Sequence, residues 1–248
     1  MNKTRLLLVV FLLAFIVTLV LTVPVRLLWH HGGQHLGLPV EMSHLSGNLW
    51  QGQGELHHAG RSMQLGWRLA PTALRTAHLG YDLSVQAPGV DLSGRAEYRP
   101  GSYRLAGLDG FAAMSQANPW LQQAGTELDG RLWLDDLHLR WRPRSGRVSG
   151  AGRFDWRQGR VDFNWLDGQR RSVDLPLLAG TLTTNGNGVT QAQVSDGDHP
   201  VVRVELDADG DLMYRLYTHL RDVLQVELPG GQEVIMEGQV NVRETLQW

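Results

Sequence analysis

Along most of this chain apolar and polar residues take turns one by one, and glycine-bearing turns cut the alternation into short runs. A period of two belongs to β-strands whose two faces meet different surroundings. Leu65, Trp67 and Leu69 alternate with Gln64, Gly66 and Arg68, and Tyr81, Leu83 and Val85 with Asp82 and Ser84. Leu137, Leu139 and Trp141 alternate with His138, Arg140 and Arg142, and Phe154 and Trp156 with Asp155 and Arg157. Val161, Phe163 and Trp165 repeat the pattern, as do Val202, Val204 and Leu206. Between the runs stand Pro100-Gly101, Ser145-Gly146, Gln158-Gly159, Asn185-Gly186-Asn187-Gly188, Asp209-Gly210 and Pro229-Gly230-Gly231. Each supplies the positive or preset φ of a tight turn. Glycine is 29 of 248 residues, above the usual ~7%, as a chain of hairpins requires. The expected fold is all-β, a curved antiparallel meander over residues 38–248.

Two segments break the rhythm. Residues 111–124 lack alternation and carry Pro119, which predicts a short helical insertion split at Asn118-Pro119. In residues 213–224 a helical spacing (Met213, Leu216, Tyr217, Leu220, Leu224) competes with strand alternation, and strand is the reading adopted. A small unit also recurs at irregular intervals: an apolar residue, a spacer, glycine, a spacer and usually another apolar residue. It stands at 45–49, 92–96, 128–132, 178–182 and 236–240. Glycine on an inward strand position lets a sheet bend or lets a large neighbour fill the gap. Nine tryptophans are available to do so.

The N-terminus follows a different rule. Leu6 to Val25 is a run of 20 residues without charge. As a helix it spans roughly 30 Å, the hydrocarbon thickness of a bilayer. A cleaved signal peptide would have a shorter apolar stretch and a small-x-small cleavage site, whereas Val23-Pro24-Val25-Arg26 has none. Lys3 and Arg5 put the N-terminus in the cytoplasm by the positive-inside rule. The expected organisation is a cytoplasmic tip (1–5), a transmembrane anchor helix (6–25), a linker (26–37) and a β domain (38–248).

Composition narrows the chemistry. A net charge of −2 gives nucleic-acid binding no global electrostatic support. The absence of cysteine removes disulfides, thiolate metal sites and cysteine nucleophiles. His30, His31, His35, His44, His57 and His58 crowd the early region, but adjacent histidines on a strand point to opposite faces and no H-x-x-x-H spacing exists. Asp207-Ala208-Asp209-Gly210-Asp211 departs from a calcium loop in its glycine position and reads as a hairpin turn. Asp135 and Asp136, as neighbours on a strand, diverge unless a bulge intervenes. No nucleophile with a placed base, phosphate loop or dinucleotide fingerprint is present. The sequence therefore points to no catalytic residue, metal site or cofactor.

One charge cluster stands out. Arg140, Arg142, Arg144, Arg147, Arg153, Arg157 and Arg160 fall within 21 residues. If Trp141, Phe154 and Trp156 face inward, Arg140, Arg142, Arg153 and Arg157 share the outer face of neighbouring strands. That face is either a solvated surface, with Asp155 and Asp162 as local partners, or a dock for an acidic protein or anionic headgroups.

The run Leu45-Ser46-Gly47-Asn48-Leu49-Trp50-Gln51-Gly52, entered through Leu38-Pro39, resembles the Val-x-Gly-Thr-Leu-Trp-x-Gly signature of the type II secretion system protein N family. Gly130-Arg131-Leu132-Trp133-Leu134, Leu137 to Trp141 and Gly150 to Trp156 are similar in order to that family's central region. Asn48 replaces the more usual Thr, and residues 212–229 match poorly. The resemblance implies a bitopic inner-membrane protein with a periplasmic β domain, an accessory structural or assembly subunit of the secretion machine. Its partners would be other inner-membrane and periplasmic components. Leu45, Gly47, Leu49, Trp50 and Gly52 carry over as a structural signature, with Trp50 expected to pack against the sheet. An alternative of a different class resembles the AsmA-like periplasmic lipid-bridge proteins, with lipid as the partner. The two differ in whether the sheet's apolar face is closed or open.

Overall fold

The computed structural model describes residues 22–32, 41–58, 61–70, 79–122, 125–165, 168–226 and 234–241. Their regular structure is overwhelmingly antiparallel strand, as the alternation predicts. Residues 6–21 of the expected anchor lie outside the described residues. Among the described residues no helix is long and apolar enough to cross a membrane. Two compact units divide between Ala87 and Pro88.

Among the described residues of the first unit, helix α1 (Val25–Gly32) starts on the last residue of the expected anchor and continues into the span read as linker. A four-strand meander follows: β1 (Glu41–Gly47), β2 (Gln51–His58), β3 (Arg61–Leu69) and β4 (Leu79–Ala87), each paired with the next. Ala70 is buried at the end of β3, and its N–H donates to the Gly80 carbonyl at 2.8 Å.

The second unit is built of β5 (Val90–Arg99), β6 (Ser102–Ala113), β7 (Thr126–Arg142), β8 (Arg147–Asn164), β9 (Arg170–Asp174), β10 (Leu178–Thr184), β11 (Thr190–Asp196), β12 (His199–Leu206), β13 (Asp211–Tyr217) and β14 (Val234–Asn241). Sequential strands pair, with one exception. The long β8 takes β9 against its residues 160–164 and β10 against residues 152–156. The register aligns one cross-strand row through nine strands: Leu92, Gly110, Leu134, Phe154, Gly180, Val194, Val202, Leu216 and Met236. Directly opposed residues share a face, so this row defines an apolar face, and the intervening residues form a polar one. Gly180 stands opposite Phe154, whose ring occupies the space a Cβ would take. That is the predicted filling of a glycine gap by a large neighbour.

Several sequence expectations change in detail. Gln158-Gly159 is not a turn. β8 runs on through it with a bulge, where Gln158 adopts φ 53° and the pairing moves from Arg157↔Arg131 to Arg160↔Asp129. A second bulge does intervene at Asp135-Asp136, with Asp136 at φ 50°. Register shifts also occur at Ser93/Arg95 and around Leu108. Bulges of this kind bend the strand that carries them and increase its local twist. The helical insertion is shorter than 111–124. Phe111 to Ala113 remain in β6, a 3₁₀ turn covers Met114–Ala117, and α2 (Asn118–Leu121) begins at the Asn118-Pro119 step. Asn118 anchors this insertion, accepting from the Leu128 N–H at 2.8 Å and donating to the Leu128 carbonyl at 3.1 Å. Residues 213–224 satisfy both competing periodicities. β13 ends at Tyr217, and α3 (Leu220–Leu224) follows after a turn.

Helix α3 closes part of the apolar face. Val223 packs with Leu178 and Val201 in the buried core, and Trp156, Leu175, Val194, Val202 and Leu220 surround them. Burying an aliphatic side chain of this size contributes about 1.5–3 kcal/mol. The face is not closed along its whole length: Met236, at the β14 end of the nine-strand row, is 52% exposed.

Candidate functional site

The signature residues form the β1–β2 turn. Gly47 pairs with Gly52 and takes φ 95°, a conformation L side chains avoid. Asn48 then closes the turn. Its Oδ1 accepts from the backbone N–H groups of Trp50 and Gln51, both at 3.0 Å. A short polar side chain with a carbonyl is what such an Asx turn uses, so asparagine suits the position. Leu45 is half-buried, and Leu49 is exposed. Trp50 is only half-buried. The indole that fills the space beside Gly52 is Trp67, from β3, and its Nε1–H donates to the Asn48 carbonyl at 3.1 Å. The sequence names Trp50 as the large anchor because it lies within the signature. The partner that packs into it is 15 or more residues away, where only the register Gly52↔Trp67 reveals it.

The arginine face lies on the polar side of β7 and β8. Opposed pairs Arg142↔Arg147, Arg140↔Ser149, Asp135↔Arg153 and Arg131↔Arg157 put Arg140, Arg142, Arg153 and Arg157 on one face. Trp141, Phe154 and Trp156 occupy the other. The four are not equivalent. Arg153 donates through Nε at 2.9 Å and Nη2 at 2.6 Å to one oxygen of Asp135, which drives its own pKa further up. Arg157 pairs with Asp155 at 2.9 Å and also lies 5.2 Å over the Trp133 ring. Trp133 packs on Phe111 at 5.1 Å, with Arg131 over Phe111 at 5.2 Å. The polar face thus carries an aromatic strip sandwiched by guanidinium groups, a placement that the bulge at Asp136 hides from the sequence. Asp162 sits 3.8 Å from Arg170 and serves none of the four. Among the described residues no carboxylate makes an ion pair with Arg140, Arg142, Arg144 or Arg147. The cluster therefore divides into a neutralised half and an unpaired half near the β7–β8 hairpin.

Asp135 and Asp136 have separate occupations. Asp136 Oδ1 accepts from His138 Nε2 at 3.0 Å, while His138 Nδ1 accepts the Gly107 N–H at 3.1 Å. This fixes the ring as a brace across the bulge. Arg160 holds the Asp174 carboxyl below the usual carboxylate range through a 2.7 Å hydrogen bond. Asp207 Oδ1 accepts from the N–H groups of Asp209 and Asp211 at 2.8 and 2.9 Å, so the acidic stretch is a hairpin turn as predicted.

Of the early histidines, His44 and His57 converge. Ser43 Oγ lies 2.7 Å from His57 Nε2 and 3.0 Å from His44 Nδ1, and Glu55 reaches the same His44 nitrogen at 3.0 Å. A Ser–His–acid relay needs serine and acid on opposite ring nitrogens. Here they compete for one, so the group is a polar network on the sheet. Among the described residues no cluster of three or more metal-ligating side chains has metal-binding geometry.

The family model described as type II secretion system (T2SS), protein N matches residues 39–222. No curated protein and no solved structure matches the chain.

Proposed function

The chain belongs to the type II secretion system protein N family, and on that premise we propose that it is an accessory structural and assembly subunit of the secretion machine. In this reading residues 6–25 anchor it in the inner membrane, residues 1–5 are cytoplasmic and the β body works in the periplasm. The observation that carries the reading is the extent of the match. Residues 39–222 take in every strand from β1 to β13. The uncharged run and the early Lys3 and Arg5 support the anchor and its orientation. Its partners are then other inner-membrane and periplasmic secretion components, met through side chains rather than through chemistry on a substrate.

Two measurements test the placement. The full-length protein should remain with the inner membrane after alkaline carbonate extraction. In this cysteine-free chain, a single Asn187→Cys thiol should react with an impermeant maleimide once the outer membrane is opened, with the inner membrane intact. Release by carbonate, or labelling only after inner-membrane lysis, overturns the anchor or the orientation respectively.

A second reading, a lipid-handling protein resembling the AsmA-like bridges, is supported by the incomplete cover of the second unit's apolar face. Native mass spectrometry of the protein purified in mild detergent separates the two. Retained phospholipid, lost when Leu134 and Leu216 are replaced by Gln, favours lipid handling, and a lipid-free protein favours the structural role.

A further inference from the structure

Hairpins β5–β6, β7–β8, β10–β11 and β12–β13 all turn at the same edge of the second unit's antiparallel sheet. Charge is segregated along that edge. The β5–β6 and β7–β8 tips carry Arg99, Arg142, Arg144 and Arg147, with Arg104 and Arg140 two rungs inward. Glu97 is the single acid there, 3.8 Å from Arg99 and 3.9 Å from Arg104. The β10–β11 tip is the neutral Asn185 to Gly188, and the β12–β13 tip carries Asp207 and Asp209.

The basic tips also hold an aromatic row on the apolar face. Tyr98 stands opposite Tyr103, and Tyr103 opposite Trp141. Their rings follow one another at 5.3 and 5.5 Å, yet the three residues remain 43%, 49% and 49% exposed. Three successive aromatic rings, the first pair tilted and the second stacked, face solvent beside unpaired guanidinium groups, which matches neither a core nor an ordinary solvated surface. Tyrosine and tryptophan settle where an apolar body meets a polar headgroup layer. Guanidinium groups bind phosphate in bidentate fashion and gather at anionic leaflets. A leaflet supplies both at once, phosphates for the arginines and an apolar layer for the aromatic row.

We propose that the β5–β6 and β7–β8 hairpin tips form a docking edge for an anionic phospholipid surface, with Tyr98, Tyr103 and Trp141 in the headgroup layer and Arg99, Arg142, Arg144 and Arg147 on phosphates. This goes beyond the secretion assignment and beyond the anchor, because it makes a second, reversible membrane contact through the β body. Each arginine near an anionic surface changes partition roughly fivefold. Neutralising three therefore weakens the contact on the order of a hundredfold.

The test uses the full chain in nanodiscs, with a fluorophore on Ser145→Cys at the basic tip or on Asn187→Cys at the neutral tip, and a quencher on the lipid headgroups. In discs containing one-third phosphatidylglycerol, the label at position 145 should be quenched at least threefold more than that at 187. The difference should vanish in pure phosphatidylcholine discs and in the combined Arg142→Gln, Arg144→Gln and Arg147→Gln variant. Equal quenching at the two positions in anionic discs, or quenching at 145 that ignores both lipid charge and the three substitutions, overturns the proposal. A chain that sits in the discs with an unquenched 145 label refutes the docking edge alone. A quenched label on a chain that carbonate strips from membranes refutes the anchor alone.

Discussion

Replacing Gly180 by alanine tests the register that joins β10 to β8. Gly180 lies opposite Phe154, and a Cβ added there falls within the Phe154 ring. The backbone at Gly180 is outside the left-handed region, so the effect is steric alone. The ring must leave its place over Gly180, and overpacking of this kind costs about 1–3 kcal/mol. For a chain of this length that lowers Tm by about 2–4 °C per kcal/mol, or roughly 2–12 °C. Phe154→Leu alone should cost about 1–2 kcal/mol through lost burial. Because the smaller side chain makes room for the methyl group, the double variant Gly180→Ala/Phe154→Leu should be more stable than additivity predicts, by about 0.5–3 kcal/mol. Thermal and urea unfolding of the full chain in mild detergent measures all four corners of the cycle. Strict additivity would mean that the two residues do not touch and that β10 is paired elsewhere.

In the signature turn, Trp67→Ala should cost about 2–4 kcal/mol, more than twice the cost of Trp50→Ala, since Trp67 fills the space beside Gly52. Equal losses in urea unfolding would return the anchor role to Trp50. Trp67→Phe isolates the hydrogen bond to the Asn48 carbonyl and should cost about 1 kcal/mol beyond the size change; no loss would mean the indole N–H is satisfied by solvent. The Arg160 guanidinium depresses the Asp174 pKa, so the contribution of this pair is present above the ordinary carboxylate value and is lost as pH falls from there toward the lowered native one. Asp174→Asn should therefore make the fall in Tm below about pH 4 shallower, and an unchanged acid limb would show that the pair adds nothing to stability.

The strand content of the chain was legible because alternation is local. Trp141, Phe154 and Trp156 take one face and the arginines the other, just as a period of two requires. What escaped was everything set by a bulge or by a distant partner. Gln158-Gly159 has the composition of a turn, yet its neighbours on both sides find partners on β7, so the chain stays extended and absorbs one extra residue. The bulge at Asp136 decides where Trp133 falls relative to Arg140, and no local pattern reveals a bulge. Residues 213–224 were ambiguous because each half obeys a different period: β13 needs strand pairing with β12 and β14, while α3 needs an apolar stripe over Leu178 and Val201. Trp67 was visible as a strand residue but not as the partner of the signature turn, since that contact depends on the β2–β3 register.

Membership of a secretion machine is the central claim, and physical association tests it most directly. The tagged full-length chain, produced at its native level and extracted in mild detergent, should co-purify with other inner-membrane components of the type II secretion system, identified by mass spectrometry against an untagged control. A chain that purifies without any of them, and that gains none after mild crosslinking in intact cells, would contradict the account.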